Sequence, residues 1–197
     1  MSYSIDPLTA DCYPGTSVLI NKLDIRDEAA LASAEVEIVT VRTAQWLLEP
    51  LAGTFDFSHY KAIHGHLFGD LYDWAGQIRT VNLSKKGTRF CPAGQIEERA
   101  AAIFSRLKTL HYLRGMEAEP LVEEFTDLYC STNELHPFRE GNGRTQRVFL
   151  AQLIQAAGYE LNFSDVDGDL LMLATIQAAQ GVTDLLKQIF SDTIHKR

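Results

Sequence analysis

The stretch that organises this chain spans residues 136–147 and reads HPFREGNGRTQR. Pro137 disfavours helical geometry at His136, so we expect the preceding helix to end there. Gly141 and Gly143 allow the backbone to turn sharply and to approach a ligand closely. From about Asn142 onward, apolar residues recur at helical spacing, which predicts a second helix. The stretch is therefore expected to form a loop that leads into a helix N-terminus.

This helix N-terminus, at residues 140–143, would present backbone N–H groups that suit an anion. Arg144 and Arg147 are three residues apart and are expected on one helix face, where two guanidinium groups suit a polyphosphate. Glu140 would repel that anion unless a cation lay between them, and Mg²⁺ held by one carboxylate and by phosphate oxygens is the usual arrangement. His136 stands at the edge, where it would accept a proton from an attacking hydroxyl.

Taken singly, these residues also have plain structural interpretations. His136 could be a core histidine, and Glu140 could be a first-turn carboxylate favoured by the helix dipole. The two glycines could serve a turn, and the two arginines could lie on a solvated face. Their combination in twelve residues favours the polyphosphate site. The sequence GxxxxGK[ST] does not occur, so the chain is not a P-loop protein.

Composition narrows the class of protein. A chain of 197 residues suits one soluble domain, and a net charge of −8 argues against nucleic acid as a direct partner. Three cysteines without a close pair fit a reducing compartment. No signal peptide is evident, and no apolar run approaches the roughly 20 residues of a membrane span. We therefore expect a cytoplasmic protein without a membrane partner.

Periodicity and capping residues predict an all-α domain. An arm at residues 1–16 and a short helix at 17–23 should precede a long helix, capped by Asp27, that ends at about Leu51. Ser58 is expected to cap the next helix, which reaches about Tyr72. Later helices are expected at residues 96–113, 120–135, 142–158, 166–178 and 182–195. The apolar stripe of the long helix is expected to comprise Leu31, Ala34, Ile38, Val41, Leu48 and Leu51.

One segment breaks the helical pattern. Residues 77–83 alternate like a strand, residues 84–87 read SKKG and signal a turn, and residues 88–91 could return as a second strand. This predicts one isolated hairpin, which could be a simple connector. Because a lone hairpin is marginally stable, we expect its placement to serve a purpose.

The stretch at 136–147 resembles the signature of the Fic family, H-P-F-x-[D/E]-G-N-G-R-x-x-R, at every specified position. A second similarity lies upstream, in Ile63, His64, Leu67, Phe68, Tyr72, Trp74, Ala75, Gly76 and Arg79. The run YPGT at residues 13–16 resembles small single-domain bacterial Fic toxins. The resemblance implies a Fic domain at 17–197 that uses ATP and Mg²⁺ to transfer AMP to a target protein.

The resemblance also implies roles for individual residues. His136 would be the base and Glu140 the Mg²⁺ ligand. The nucleotide phosphates would be held by Gly141, Asn142, Gly143, Arg144 and Arg147. The hairpin, at about 77–91, would be the flap that docks the target by main-chain pairing at Val81, Asn82 and Leu83. A catalytically silent nucleotide-binding or interaction module is the alternative.

Regulation is the last expectation. Family members are commonly inhibited by a helix that carries [S/T]-x-x-x-E-[G/N], whose glutamate pairs with the second motif arginine. In this chain the only glutamate before Gly or Asn is Glu140, and His136 stands four residues before it. The resemblance therefore implies a small antitoxin that supplies the helix in trans. It also implies, at family level only, targets such as the ATPase subunits of DNA gyrase and topoisomerase IV.

Overall fold

The computed structural model describes residues 11–49, 53–85 and 88–197. The described residues are mostly helical. The helices are α1 (Glu28–Leu48), α2 (Phe57–Phe68), α3 (Ile96–Thr109), α4 (Ala118–Leu135), α5 (Asn142–Ala156), α6 (Gly168–Ala178) and α7 (Asp184–Thr193). A small hairpin pairs β1 (Ser84–Lys85) with β2 (Thr88–Arg89). The prediction of an all-α domain with a β-hairpin is confirmed.

The signature stretch joins the two central helices of the bundle. α4 ends at Leu135 and α5 begins at Asn142, and these helices pack against each other, with α2 on α5 and α7 on α4. Phe138 lies between them and is fully buried, with its ring stacked on Tyr60 at 5.8 Å between centroids. A buried aromatic ring of this kind contributes about 1.5–3 kcal/mol, so the loop is anchored in the core.

The predicted helix ends are only partly right. Asp27 caps α1 as predicted, with Oδ1 accepting a hydrogen bond from the N–H of Ala30 at 2.8 Å. α1 is described as far as Leu48, and the predicted end at Leu51 lies outside the described residues. The cap of α2 is Asp56 and not Ser58. A carboxylate two residues earlier takes the first free N–H groups, which the sequence pattern alone did not distinguish.

The end of α3 was also predicted too late. The helix stops at Thr109, and residues 111–113 form a separate turn with φ values of 51°, 57° and 63°. Left-handed geometry at three consecutive non-glycine residues is uncommon. It allows Leu113 to be fully buried at the end of the helix.

The buried face of α1 differs from the predicted stripe. Leu31, Val39 and Trp46 are buried, whereas Val41 and Leu48 are 57% and 83% exposed. The buried residues are separated by eight and seven positions, which is about two helical turns each. The indole N–H of Trp46 donates a hydrogen bond to a side chain of α5 at 3.3 Å. The tertiary contact of this large side chain sets the rotation of the helix, so the predicted stripe was wrong in part.

No helix forms at residues 17–23. The carboxamide of Asn21, which is buried, donates to the carbonyls of Leu19 and Ile25 and accepts from the N–H groups of Leu23 and Ile25. These side-chain bonds replace the helical ladder. A bridge between Cys12 and Leu19 joins the two sides of the predicted arm boundary at residue 16. The division of the chain at that residue stays a prediction.

The strand predicted at residues 77–83 is also absent. β1 and β2 are two residues each. β1 lies where the turn was expected, β2 lies within the predicted second strand at 88–91, and residues 86 and 87 lie outside the described part. The physical reason is Arg79, which is 4% exposed. Its side chain points inward and donates hydrogen bonds to three backbone carbonyls. The path of this segment is therefore set by these bonds and not by pairing with another strand.

A second ladder joins distant parts of the chain. β3 (Tyr159–Glu160) pairs antiparallel with β4 (His195–Lys196), and the sequence did not predict this ladder. Its two strands are separated by α6 and α7, so no turn sequence marks them. In the described ranges, no helix is long and apolar enough to cross a bilayer.

Candidate active site

His136 caps the end of α4 in a left-handed conformation, with φ 42° and ψ 58°. Pro137 prevents helical geometry at this residue, as predicted. The Nδ1 atom lies 3.1 Å from the carbonyl oxygen of Asn133. Because a carbonyl only accepts hydrogen bonds, Nδ1 carries the proton and Nε2 carries the lone pair. The imidazole is therefore held in the tautomer that can accept a proton at Nε2.

The imidazole is also enclosed. It is 6% exposed, and Phe90 from the flap stacks on it at 3.6 Å between centroids and 11° between planes. Burial lowers the pKa of His136 to about 3, the bond to Asn133 opposes this effect, and the charges of Arg79 and Lys85 add to it. The ring is therefore neutral near pH 7, as a base must be before the reaction.

Asn142 holds the loop in shape. Its Oδ1 accepts from the N–H of Phe138 at 2.8 Å, and its Nδ2 donates to the carbonyl of the same residue at 2.7 Å. The side chain is 3% exposed. Both polar atoms of the carboxamide are thus committed to the backbone, and the group of Asn142 left for a phosphate is its own N–H.

The start of α5 supplies that N–H and its neighbours. The first intrahelical hydrogen bond runs from Thr145 to the carbonyl of Gly141 at 3.1 Å. The N–H groups of Asn142, Gly143 and Arg144 precede this bond and are oriented out of the helix end. The N–H of Gly141 instead donates to Oε1 of Glu140 at 2.8 Å. The N–H of Gly141 is therefore bound by Glu140 in this structure, and its predicted contact with a phosphate stays a prediction.

The two glycines have different surroundings. Gly141 has a φ of 79°, and a Cβ built on it would overlap the ring of Phe68. This glycine is therefore required by the fold itself. A Cβ on Gly143 would meet only Nη1 of Arg147, at an ordinary 3.5 Å. The fold does not require a glycine there, which fits close approach of a ligand.

The two arginines, which were predicted on one face, also separate. Arg144 bonds Glu35 of α1 at 2.7 Å, approaches Glu140 at 3.4 Å, and lies 4.6 Å above the ring of Phe68. The hydroxyl of Tyr72 donates to the same Glu35. In the described residues, no carboxylate lies within 4.0 Å of the guanidinium of Arg147.

Glu140 is the acidic group of the loop. His64 donates from Nε2 to its backbone carbonyl at 3.0 Å, because Nδ1 of that ring accepts from the N–H of Gly76. The Glu140 carboxylate is about one quarter exposed. No group of three potential protein ligands occurs in the described part of the chain. One carboxylate beside a helix N-terminus fits Mg²⁺ that is also held by phosphate oxygens, and does not fit an all-protein cage.

A cavity of about 510 Å³ opens beside the loop, within the range usual for ligand sites. Its polar wall carries His136, Gly143, Arg147 and Lys85. Its apolar wall comes mainly from α6 and the residues before it, with Phe163, Val166, Leu171, Met172 and Ile176. Glu140 and Arg144 do not line this cavity. The structure thus brings the candidate base, one glycine and one arginine to a single space.

The predicted docking residues of the flap lie outside the strands and do not line the cavity. Leu83 is 3% exposed, and its carbonyl accepts from the N–H of Phe90 at 3.2 Å. Asn82 is exposed, and its Oδ1 caps the backbone N–H of Ala93 at 2.9 Å. The carbonyl of Val81 accepts from Arg79. The flap residues in the cavity wall are instead Lys85, Thr88 and Phe90.

Sequence reasoning missed three contributors. Arg79 and Phe90 contact His136, and Glu35 holds Arg144. Arg79 had a signal, because it ends the second stretch of family similarity. Glu35 had none, because 109 positions separate it from Arg144 and nothing local marks a glutamate in a long helix as a partner.

The sequence profile of the Fic/DOC family matches residues 54–154, which is just over half of the chain and includes the signature stretch and the flap. The chain belongs to this family. Its relatives place it among the protein adenylyltransferases of that family. It is 36% identical over 182 residues to "Probable protein adenylyltransferase Fic" of Escherichia coli K12, covering 92% of this chain and 90% of that protein.

A second relative is longer. "Protein adenylyltransferase VbhT" of Bartonella schoenbuchensis is 37% identical over 186 residues, which is 94% of this chain but 38% of that protein. Among solved structures, BepC of Bartonella tribocorum with bound AMPPNP superposes with a TM-score of 0.89 at 29% identity, covering 95% and 97% of the two chains. A Fic domain of Bartonella quintana with bound ADP gives 0.90 at 28% identity, covering 95% of each.

Proposed function

We propose that this chain transfers AMP from ATP to a Ser, Thr or Tyr hydroxyl of a target protein, with His136 as the base. One observation supports this most directly: the tautomer-fixed imidazole shares a cavity with Gly143 and Arg147. A base, a helix N-terminus and a cation that has no acidic partner in the described residues meet there. Solved relatives with bound AMPPNP and ADP support a nucleotide as the ligand.

The reaction would proceed by in-line displacement. Nε2 of His136 accepts the proton of the target hydroxyl while the hydroxyl oxygen forms a bond to the α-phosphorus. The bond from that phosphorus to the bridging oxygen breaks, and pyrophosphate leaves. The N–H groups at the start of α5 and the guanidinium of Arg147 stabilise the charge on the phosphates. Positioning and charge neutralisation supply most of the acceleration in such transfers.

Glu140 would hold Mg²⁺ in this proposal. The metal would neutralise phosphate charge as a Lewis acid. The carboxylate is fixed by the N–H of Gly141 and lies near Arg144. The two sides of the cavity suit the two ends of ATP. The apolar wall from α6 suits the adenine ring, and the polar wall suits the phosphates.

The test is transfer of label from α-³²P-ATP to proteins of a bacterial lysate, with the labelled band identified by mass spectrometry. We expect His136→Ala to reduce labelling about 10²–10⁴-fold while the dissociation constant of ATP stays within about threefold, because the base acts on the target's proton. His195→Ala is the matched control, since His195 is exposed in β4. Wild-type labelling by His136→Ala would contradict the assignment. Binding of ATP without transfer by the wild type would favour the silent module.

The hairpin is the proposed docking element for the target. Phe90 stacks on the imidazole of His136, and Lys85 of β1 and Thr88 of β2 line the cavity. An extended target segment would add to a hairpin edge by main-chain pairing. We place the reaction in the cytoplasm for two reasons. ATP is available there, and its reducing state suits the three free cysteines.

We also propose that the chain is the toxin of a toxin–antitoxin pair. Arg147 has no carboxylate partner in the described residues, and the sequence holds no inhibitory motif of its own. A small antitoxin would supply a glutamate to this arginine in trans and so prevent productive binding of ATP. ATPase subunits of DNA gyrase and topoisomerase IV are the first targets to examine.

Expression in bacteria tests the toxin role. We expect the wild-type chain to arrest growth, and His136→Ala to relieve the arrest at equal protein levels. A short protein that carries [S/T]-x-x-x-E-[G/N] should restore growth, and Arg147→Glu should abolish its binding by charge repulsion. Unimpeded growth with an enzyme that is active in vitro would overturn the toxin proposal and leave AMP transfer standing.

A further inference from the structure

Arg79 lies at the meeting point of the flap and the base. Its Nε donates to the carbonyl of His136 at 2.8 Å, and its two terminal nitrogens donate to the carbonyls of Val81 and Cys91, each at 2.6 Å. Its backbone N–H donates to the carbonyl of Pro137 at 2.9 Å. One buried guanidinium therefore joins the segment before the hairpin, the segment after it and the residue that carries the imidazole.

Burial of this guanidinium costs free energy unless its N–H groups are well aligned with acceptors. A guanidinium that is withdrawn from water loses its hydration, and these carbonyls replace it as acceptors. The planar fork of arginine presents donors in several fixed directions, which a lysine ammonium does not reproduce. The three acceptors lie on three separate segments. The site is therefore built for arginine and not only for a positive charge.

The residue that Arg79 holds is itself in an unfavourable conformation. His136 has a φ of 42°, and a non-glycine residue keeps such a conformation only where its surroundings over-determine it. Two bonds of Arg79 reach the His136–Pro137 backbone, and Asn133 binds the ring. Arg79 does not line the nucleotide cavity, so an effect on catalysis would act through His136.

We propose that Arg79 is a positioning residue that fixes the imidazole of His136 relative to the flap, so that the element that receives the target and the group that removes its proton form one unit. The inference rests on the proposed AMP transfer. The electrostatics of the site agree with this role, because burial and the charges of Arg79 and Lys85 all favour the neutral imidazole of His136.

The test compares Arg79→Lys and Arg79→Gln with Arg114→Lys, a control at an exposed arginine that does not line the cavity. We expect Arg79→Lys to lower kcat about 10–100-fold, the scale of a misplaced catalytic group. KM for ATP and its dissociation constant should stay within about threefold. Thermal melting gives the folded fraction by which kcat is normalised. A variant that is only partly folded therefore still tests the positioning role.

A second readout separates positioning from plain structural support. The pKa of His136, followed by NMR of ¹⁵N-labelled imidazole, should rise in Arg79→Gln, because a nearby positive charge is removed, and rise less in Arg79→Lys. Normalised kcat and an imidazole titration equal to wild type, with only a lower Tm, would overturn the proposal. If the wild type transfers no AMP, the function proposed above fails, while the imidazole titration still decides whether Arg79 governs His136.

Discussion

The signature stretch contains two Gly–Arg pairs that have the same composition and opposite environments. Gly141 and Arg144 both pack on the ring of Phe68, and Arg144 is held there by Glu35. Gly143 and Arg147 lie against each other in the wall of the cavity. We call these the packed pair and the open pair. A single sequence signature therefore contains one pair that packs in the fold and one pair that faces a cavity.

This difference indicates how mutations in the signature should be interpreted. Loss of the packed pair should first lower the free energy of unfolding, and activity should fall only as the loop loses its shape. Loss of the open pair should affect nucleotide binding in a protein of near-normal stability. The predictions below test this separation with matched substitutions at the two sites.

The largest effect is expected for the glycines. Gly141→Ala should lower the free energy of unfolding by about 2–6 kcal/mol, because a left-handed alanine costs about 1–3 kcal/mol and overpacking against Phe68 costs about as much again. Gly143→Ala should change it by less than about 1 kcal/mol but weaken ATP binding, since the methyl group would stand where a phosphate approaches. Urea unfolding and calorimetric titration with ATP measure the two effects. Equal stabilities of the two variants would contradict the separation.

The arginines should show the same contrast at smaller size. Arg147→Ala should weaken binding of ATP by about 1.5–3 kcal/mol, the usual value for a charged hydrogen bond, with little change in Tm. Arg144→Ala should lower the free energy of unfolding by about 1–3 kcal/mol, because the largely buried carboxylate of Glu35 would lose its cationic partner. If Arg144→Ala weakens ATP binding as much as Arg147→Ala without loss of stability, Arg144 leaves Glu35 to bind phosphate.

Acid should destabilise the protein through two buried histidines, one beside each Gly–Arg pair. Burial lowers the pKa of His64, beside the packed pair, to about 4 and that of His136, beside the open pair, to about 3. In the unfolded chain both titrate near 6.5, so the unfolded state binds more protons below that pH. Stability is therefore complete above about pH 6.5 and is lost as the pH falls toward 4, by about 1.4 kcal/mol per pH unit for each histidine.

His64→Gln should remove one such contribution. The variant is expected to be less stable at pH 7, because glutamine cannot reproduce both ring contacts, but its stability should fall less steeply between pH 6 and pH 4.5. Urea unfolding at several pH values gives the slopes. Identical slopes for the variant and the wild type would show that His64 does not stay neutral in the folded protein.

Several features were predictable because their causes are local. Pro137 ends α4 at His136, and the helical periodicity after Asn142 marks α5, so both ends of the loop were placed correctly from sequence. The buried residues of α4, including Leu121, Phe125 and Leu128, recur at helical spacing. These features depend on neighbouring residues and on the helical repeat.

Other features depend on contacts between distant segments, and the sequence pattern misled there. The rotation of α1 is set by Trp46 against α5, and the path of residues 77–83 is set by the inward side chain of Arg79. The expectation that Arg144 and Arg147 share a face followed from their spacing. A spacing of three leaves a rotation of about 60° between side chains, which is enough for Glu35 to claim one of them.

The side-chain bonds of Asn142 have a consequence for the chemical lifetime of the protein. Asn142 precedes Gly143, and Asn–Gly is the dipeptide that cyclises most readily to a succinimide and then deamidates. That reaction needs the carboxamide carbon to swing toward the next backbone nitrogen, but here the carboxamide is pinned to Phe138 at both of its polar atoms. Deamidation at this site should therefore proceed only through molecules whose loop has opened. The rate of deamidation during storage would then measure how often the loop at residues 136–147 opens.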